Sequence, residues 1–317
     1  MKLAIAILSQ IWPETVARLE ECHDCRVAVN PEPAEKQRVL SEADIAVIRS
    51  PVKLDAAAID AASRLRLIIR AGMGLEGIDL RHARRRGIAV VLTPLSAESV
   101  AEHIIGLMLS VARRIPHHHA ALRAGRWDKH GGFGWNLRGR ALGLVGFGRI
   151  GMRTAELAHA FGMTLAAADR SPEKPSKQSA AARLGVRFMA LEDLLRVSDV
   201  VSIQTPLNEE TNGLMNAQRL ALMKPGAVLI NVGRGGIVCE TALNEALRSG
   251  HLGGAALDVF AQEPPGASPL FELDNFVGTP HVAAQTVDAQ REIGENVESI
   301  IAAFQNSEPL DRWGISL

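Results

Sequence analysis

The chain has 317 residues, which is enough for about two domains of ordinary size. Its 35 Lys and Arg residues equal its 35 Asp and Glu residues, so no global charge favours nucleic acid or an anionic membrane. A hydrophobic content of 47% and a charged content of 22% exclude the disordered and coiled-coil classes. No apolar run reaches the length of a membrane span, and three cysteines cannot form a disulfide framework. We therefore expect a cytoplasmic protein with neither membrane nor nucleic-acid partners.

Short runs of Val, Ile and Leu alternate with longer amphipathic stretches along the chain, a pattern typical of βαβ units. A first series of strands is predicted at 3–8, 26–29, 45–49, 65–70 and 88–92. A second series is predicted at 141–145, 164–168, 186–189, 200–204, 227–232, 255–259 and 276–277. Because several of these runs are apolar throughout, we expect two α/β domains whose strands are covered on both faces.

Helix signals separate and follow the two series. Ser99 and Glu102 match a capping box, and the apolar residues after them keep helical spacing, so a long helix is predicted to begin at Ser99. The glycine-rich stretch 122–140 has little periodicity and predicts a loop. The stretch 285–305 predicts a terminal helix with one apolar face.

Two motifs have spacings that metal or redox sites also use. Cys22 and Cys25 form a C-x-x-C pair, but there is no second ligand pair to complete a site, so we interpret both as ordinary thiols. Residues 117–119 are three consecutive histidines, interpreted as a solvated turn or helix face. No metal site is predicted.

The strongest local motif is a glycine fingerprint, G-x-G-x-x-G, formed by Gly146, Gly148 and Gly151. It lies between an apolar strand and a helical stretch, which is the context that dinucleotide binding requires. The first glycine allows a tight turn, the second lets the backbone approach a pyrophosphate, and the third lets helix and strand pack closely. The amides at the helix N-terminus favour that pyrophosphate. The motif therefore predicts a dinucleotide cofactor.

The residue that follows the next strand bears on the form of this cofactor. Asp169 can accept hydrogen bonds from an adenosine ribose and would repel a 2′-phosphate, which favours NAD. Arg170 stands beside it, and a guanidinium there could bind that phosphate. NAD is therefore the predicted cofactor, with NADP left open.

Three further strand ends carry groups suited to acid–base chemistry. Arg234, Glu263 and His281 follow the last three predicted strands of the second series. Ligands of open α/β sheets bind at the carboxyl ends of the strands, so these side chains should meet at one edge. Each alone has an ordinary structural explanation, but together, beside a dinucleotide fingerprint, they predict a site for a carbonyl substrate.

With these motifs in place, the chain resembles the D-isomer-specific 2-hydroxyacid dehydrogenases over nearly its whole length. The matching segments are 70–74 with 78–79, 93–94 with 100–102, 146–151, 205–207, 233–236, 256–260 with 263–264, and 280–281. The resemblance implies a Rossmann NAD(P)-binding domain at 99–285, inserted into a flavodoxin-like substrate domain formed by 1–98 and 286–317. It also implies a homodimer that pairs through the helix beginning at Ser99.

The resemblance further implies hydride transfer between a cofactor and a small 2-oxo or 2-hydroxy acid. His281 would be the acid/base, Glu263 would assist it, and Arg234 would bind the substrate carboxylate and polarise the carbonyl. The implied substrate-binding residues are Gly72, Met73, Gly74, Arg234 and His281. The implied cofactor-binding residues are Gly146, Gly148, Arg149, Ile150, Gly151, Asp169, Arg170, Thr205, Pro206, Val232, Gly233, Asp258 and Ala284.

Some positions depart from the family pattern and keep alternatives open. Gln204 stands where the family often has His, Gly233 where Ala is usual, and Cys239 where an acidic residue is common. One alternative is a dinucleotide-sensing protein of the corepressor type, and another is a formate or phosphite dehydrogenase. Because the chain stops at Leu317, we expect no additional regulatory domain.

Overall fold

The computed structural model describes residues 2–72, 74, 75, 77–93 and 96–313, apart from the Arg312 side chain. It divides the chain into two compact units. Unit 1 comprises Met1–Ser96 and Ala284–Leu317, and unit 2 comprises Ala97–Ala283. These junctions lie two residues from the predicted ones at 98/99 and 285/286.

The strands follow the two predicted series closely. In chain order they are β1 Ala4–Ile7, β2 Asp24–Val27, β3 Ile45–Ile48, β4 Leu67–Arg70, β5 Ala89–Leu92, β6 Ala141–Val145, β7 Thr164–Ala168, β8 Arg187–Phe188, β9 Val200–Ile203, β10 Val228–Asn231, β11 Gly254–Leu257 and β12 Phe276–Gly278. Where a predicted strand ran further, as at Gln204 and Val259, the extra residues belong to the loops that follow the strands.

The helices lie between these strands, and α12 follows the last of them. In chain order they are α1 Pro13–Cys22, α2 Pro33–Leu40, α3 Ala56–Ala61, α4 Leu80–Arg85, α5 Ala97–Ala112, α6 Ile115–Arg123, α7 Arg149–Ala160, α8 Pro175–Leu184, α9 Leu191–Val197, α10 Ala217–Leu222, α11 Glu240–Arg248 and α12 Val287–Gln305. Short 3-10 turns occupy Pro269–Glu272 and Asp311–Trp313.

The predicted start of α5 was wrong by two residues. The helix begins at Ala97, so Ser99 lies inside its first turn and is buried, and it cannot be the N-cap of a capping box. Residues 117–119 lie on α6, in agreement with the helix-face interpretation. The predicted loop begins after Arg123 instead of at Leu122.

Unit 1 is built on a parallel sheet in the order β2-β1-β3-β4-β5, which is the flavodoxin-like order. Every residue of β3 and β4 is buried, because both faces of the sheet are covered. Ile45 and Val47 pack with the apolar face of α12, while Ala46 and Ile48 pack with α2 and α3 on the other face. The alternation of side chains along a strand explains this division.

Unit 2 is built on a parallel sheet in the order β12-β11-β10-β9-β6-β7-β8. The chain starts in the middle at β6, moves outward to β8, and then returns to add β9 to β12 on the other side, which is Rossmann topology. The predicted fold class, two doubly wound parallel-sheet domains of the Rossmann and flavodoxin types, is confirmed.

The register of the second sheet fixes where its loops emerge. The paired residues at the carboxyl ends of its strands form one continuous row, Ala168, Val145, Ile203, Asn231, Leu257 and Gly278. All strands are parallel, so the segments that follow these residues leave the sheet side by side. The glycine fingerprint, Asp169 and the segments that carry Arg234, Glu263 and His281 therefore lie along one edge of unit 2.

Candidate active site at the carboxyl edge of the second sheet

His281 and Glu263, which the sequence predicts to act together, lie in contact in unit 2. His281 Nδ1 lies 2.8 Å from Glu263 Oε2, and the Phe260 amide donates to Glu263 Oε1 at 3.2 Å. The two side chains are 46% and 40% exposed, so substrate can reach them. Within the described part of the chain, the other ring nitrogen, Nε2, makes no hydrogen bond. A carboxylate that accepts the Nδ1 hydrogen fixes the tautomer and leaves Nε2 for a reacting atom.

Arg234 lies in a tight turn after β10 that its neighbours stabilise. Asn231, which is 1% exposed, accepts from the Gly233 amide at 3.0 Å and donates to the Arg234 carbonyl at 3.0 Å. A Cβ atom on Gly235 would lie 1.7 Å from the Phe260 carbonyl oxygen, so only glycine allows the loops after β10 and β11 to touch. This contact brings the Arg234 turn against the segment that leads to Glu263.

The glycine fingerprint has the geometry that its sequence predicts. Gly146 has φ +97°, which favours glycine, and a Cβ on Gly151 would lie 2.3 Å from the Gly146 carbonyl oxygen. Gly148 is the N-cap of α7, and nothing lies within 4 Å of the position its Cβ would take. Gly146 and Gly151 are thus required by the local backbone conformation and packing, while Gly148 leaves space open at the N-terminus of α7.

Two residues after β9 face the same turn. Gln204 Nε2 donates to the Gly146 carbonyl at 2.8 Å, so this departure from the family pattern supports the fingerprint. The Thr205 hydroxyl is buried, and no hydrogen-bond partner for it lies in the described residues. A Cβ on Gly233 would lie 2.7 Å from the Thr205 carbonyl oxygen. An orphaned hydroxyl beside an open helix N-terminus fits a polar ligand such as a dinucleotide.

Asp169 lies after β7, as predicted, and its carboxylate already accepts several hydrogen bonds within the protein. The amides of Phe147 and Ser171 donate to it at 2.7 Å and 2.8 Å, and Lys177 on α8 forms an ion pair with it. Burial alone would raise the pKa of Asp169, but the hydrogen bonds from Lys177, Ser171 and Phe147 outweigh burial and lower it. Arg170 points to the exposed Glu210. Lys177 was not predicted, because no sequence pattern links a lysine to a carboxylate eight positions before it.

Asp258 is a fully buried carboxylate at the end of β11. It accepts from the Thr279 hydroxyl at 2.6 Å and from the Val282 and Ala283 amides at 2.9 Å and 3.0 Å. Burial raises its pKa, but hydrogen bonds from His103, Thr279 and these amides lower it overall. His103 on α5 was not predicted, because one His in an amphipathic helix carries no functional pattern.

The remaining predicted residues occupy both units. Arg149 and Ile150 begin α7, Val232 follows β10, and the Pro206 carbonyl accepts from the Thr211 hydroxyl. In unit 1, Gly72 and Gly74 follow β4, and Gly72 has φ +151° with nothing within 4 Å of its Cβ position. Ala284 is the first residue of the second segment of unit 1. Met73 lies outside the described residues.

The described residues hold no cluster of His, Cys, Asp and Glu that could bind a metal ion. Cys22, Cys25 and Cys239 are free thiols, and burial raises the pKa of Cys25 to about 11, which keeps that thiol protonated. No helix in the described part of the chain is long and apolar enough to cross a membrane.

Comparison with known proteins identifies the family. The model for the NAD-binding domain of D-isomer specific 2-hydroxyacid dehydrogenases matches residues 105–283. Hydroxypyruvate reductase from Thermotoga maritima is 43% identical over 271 residues, covering 84% of this chain and 86% of its own. The crystal structure of a putative D-isomer specific 2-hydroxyacid dehydrogenase from Polaromonas has a TM-score of 0.90 and 30% identity, covering 98% of this chain and 99% of its own.

The chain therefore belongs to the D-isomer specific 2-hydroxyacid dehydrogenase family, as predicted. The description of the matching domain also supports the predicted nicotinamide dinucleotide cofactor. D-3-phosphoglycerate dehydrogenase from Mycobacterium tuberculosis is 39% identical over 304 residues, or 95% of this chain. The chain spans only 56% of the length of that relative.

Proposed function

We propose that the protein is an NAD(P)-dependent oxidoreductase that interconverts a D-2-hydroxy acid and a 2-oxo acid. The observation that carries this proposal is the His281–Glu263 pair, which lies at the same sheet edge as the glycine fingerprint. An imidazole whose tautomer is fixed, beside a dinucleotide site, suits a reaction that moves a hydride and a proton together.

The cofactor would bind along the carboxyl edge of the second sheet and, when bound, would supply or accept the hydride. Gly148 leaves room for its pyrophosphate, the amides of Arg149 and Ile150 would bind that pyrophosphate, and the Thr205 hydroxyl would gain a partner. The other residues proposed to contact it are Gly146, Gly151, Asp169, Arg170, Pro206, Val232, Gly233, Asp258 and Ala284.

His281 transfers the proton in this proposal. In the reducing direction, Nε2 of the protonated ring donates to the carbonyl oxygen, and in the reverse direction the neutral ring takes the hydroxyl proton. Glu263 keeps the hydrogen on Nδ1 and stabilises the imidazolium. A positioned acid of this kind contributes about 10²–10⁴-fold to the rate.

Arg234 binds the substrate carboxylate in this proposal and polarises the carbonyl to be reduced. Its planar guanidinium can make two parallel hydrogen bonds, which a lysine cannot. The turn held by Asn231 and Gly235 limits the positions that the guanidinium can take. In unit 1, Gly72 and Gly74 stay predicted substrate-binding residues, and Met73 lies outside the described residues.

The form of the cofactor depends on the charge at Asp169. A lone carboxylate would repel a 2′-phosphate, but the Lys177 ammonium compensates that charge at close range. We therefore expect both NADH and NADPH to bind.

A cofactor-by-substrate panel tests the proposed function. NADH or NADPH is mixed with the enzyme and glyoxylate, hydroxypyruvate, pyruvate or a longer 2-oxo acid, and cofactor oxidation is followed at 340 nm. We expect oxidation with at least one pair and its loss in His281→Ala. Absence of oxidation with every pair would refute the proposal. Cofactor binding with turnover that His281→Ala leaves unchanged would favour the dinucleotide sensor, and activity confined to formate or phosphite would favour the third alternative.

We further propose that the protein is a homodimer. The segment around the end of α6 exposes three large apolar side chains, Leu122, Trp127 and Phe133, which are 56%, 83% and 93% exposed. Exposed apolar side chains of this size favour burial against a second chain. Light scattering on a size-exclusion column should give about twice the mass of one chain. The double variant Trp127→Ser with Phe133→Ser should give the mass of a single chain.

A cytoplasmic location stays a prediction.

A further inference from the structure

The backbone of His281 has an uncommon conformation that its surroundings must hold. Its φ is +55°, a left-handed value that L-residues rarely adopt and that costs free energy. The His281 amide donates to the Asp258 carbonyl at 2.8 Å and to the Thr279 carbonyl at 3.0 Å. The next two amides, of Val282 and Ala283, donate to the Asp258 carboxylate. Asp258 thus holds the turn that presents the catalytic imidazole.

Asp258 is itself held by two side chains. The Thr279 hydroxyl donates to Asp258 Oδ1 at 2.6 Å, and His103 Nε2 lies 3.1 Å from the Thr279 oxygen and 3.5 Å from Oδ1. A hydroxyl has one hydrogen to donate, and here the carboxylate receives it. His103 therefore carries its hydrogen on Nε2, directed at the Thr279 oxygen and the neighbouring Asp258 Oδ1.

This contact joins a helix to the reacting end of the sheet. His103 lies on α5, which packs against β10, β11 and β12, and its side chain is 23% exposed. Neither His103 nor Thr279 makes a hydrogen bond to the His281 ring. Their hydrogen bonds end on the carboxylate that holds the His281 turn.

We propose that His103 and Thr279 are positioning residues that act through Asp258 to place the His281 imidazole for proton transfer. This inference rests on the proposed function, in which His281 is the acid/base. Displacement of a reacting group by about 1 Å can cost about 10²-fold in rate. Loss of either residue should therefore slow the chemical step more than it weakens substrate or cofactor binding.

Thr279 allows the cleanest test, because valine has nearly the same shape without the hydroxyl. Thr279→Val and Thr279→Ser are compared with wild type for kcat, for the KM of the 2-oxo acid that is active in the panel, and for the Kd of NADH by fluorescence. We expect Thr279→Val to lower kcat by roughly 10- to 100-fold, with KM and Kd within about threefold. Thr279→Ser, which keeps the hydroxyl, should restore kcat to within about threefold. The solvent deuterium isotope effect on kcat should rise in Thr279→Val, since proton transfer becomes more rate-limiting.

His103 provides the second arm of the test. His103→Leu should reduce kcat, and His103→Gln, which keeps an N–H donor, should recover part of it. Because the two residues act in series, the double variant His103→Leu with Thr279→Val should be little slower than the slower single variant. Thr15→Val is the matched control, since Thr15 is a fully buried threonine of unit 1 outside this network, and we expect it to keep the wild-type kcat.

Several results would overturn the inference. An unchanged kcat in Thr279→Val would do so. A fall in kcat that is not restored in Thr279→Ser would do so as well, as would a fall in kcat without a rise in the solvent isotope effect. A loss seen only in Tm would show a structural role alone. If His281→Ala keeps full turnover, the proposed function itself fails, whereas loss in His281→Ala with full activity in Thr279→Val removes only the positioning role. Absence of wild-type turnover with every pair of the panel would overturn both.

Discussion

Replacing Lys177 with Met should change which nicotinamide dinucleotide the protein binds. Lys177 and Asp169 form an ion pair whose side chains are only 14% and 9% exposed. Met keeps a long apolar stem and removes the charge, so the Asp169 carboxylate retains its amide donors, Phe147 and Ser171, and loses its cation. An uncompensated carboxylate then faces the adenosine ribose.

The size of the effect follows from the burial of the pair. A hydrogen bond to a charged group is worth about 1.5–3 kcal/mol, and water screens this pair less than a surface one. One factor of ten in Kd corresponds to about 1.4 kcal/mol. We therefore expect the Kd of NADPH to rise by roughly 10- to 100-fold in Lys177→Met. The Kd of NADH should stay within about threefold or fall, because ribose hydroxyls can then donate to the freed carboxylate oxygen.

Fluorescence titration of both cofactors gives the ratio of the two Kd values without any turnover. Lys174→Met is the matched control, because Lys174 is an exposed lysine just before α8 that forms no ion pair with any described residue. It should leave the ratio unchanged. Equal weakening of NADH and NADPH by Lys177→Met would refute the reasoning, since the lysine would then support the fold of the site without selecting the phosphate. An unchanged NADPH affinity would refute it as well.

Further expectations concern the fingerprint, the proton-transfer pair and acid stability. Gly148→Ala should keep its Tm and weaken NADH binding by more than about tenfold, whereas Gly151→Ala should lower Tm by roughly 2–10 °C, because its Cβ would collide with backbone. Equal Tm values for the two variants would contradict this. Glu263→Gln should lower kcat for reduction by roughly 10- to 100-fold, since His281 loses the carboxylate that orients its ring; an unchanged kcat would count against the assignment. The lowered pKa values of Asp258 and Asp199 mean that the folded state binds fewer protons than the unfolded one, so their stabilisation is complete above about pH 5 and is lost as the pH falls through the folded pKa values. Urea unfolding between pH 7 and pH 3 should show this fall, and Asp258→Asn should flatten it.

The sequence predicts best those residues that follow strands of a parallel sheet. Gly146, Asp169, Arg234 and His281 come directly after apolar runs, and parallel strands bring their carboxyl ends to one edge. Strand order was not needed for this prediction, because any order of parallel strands leaves these residues on the same edge. The start of α5 was predicted less well, since Ser99 satisfies a capping pattern that the buried first turn of the helix does not use.

Residues contributed by helices packed on the sheet could not be predicted in the same way. His103 and Lys177 each lie on a helix, and helical periodicity does not state which side chain at the boundary of the apolar face will reach a strand end. Their partners are Thr279 and Asp169. Each contact depends on where the helix lies along the sheet, because that position decides which helical side chain reaches the strand end. The two helical residues add no new chemistry to the site. They contact groups that the sequence identifies, so the sequence predicts the candidate reacting groups, while tertiary packing determines which cation lies beside Asp169 and what contacts Thr279 next to the His281 turn.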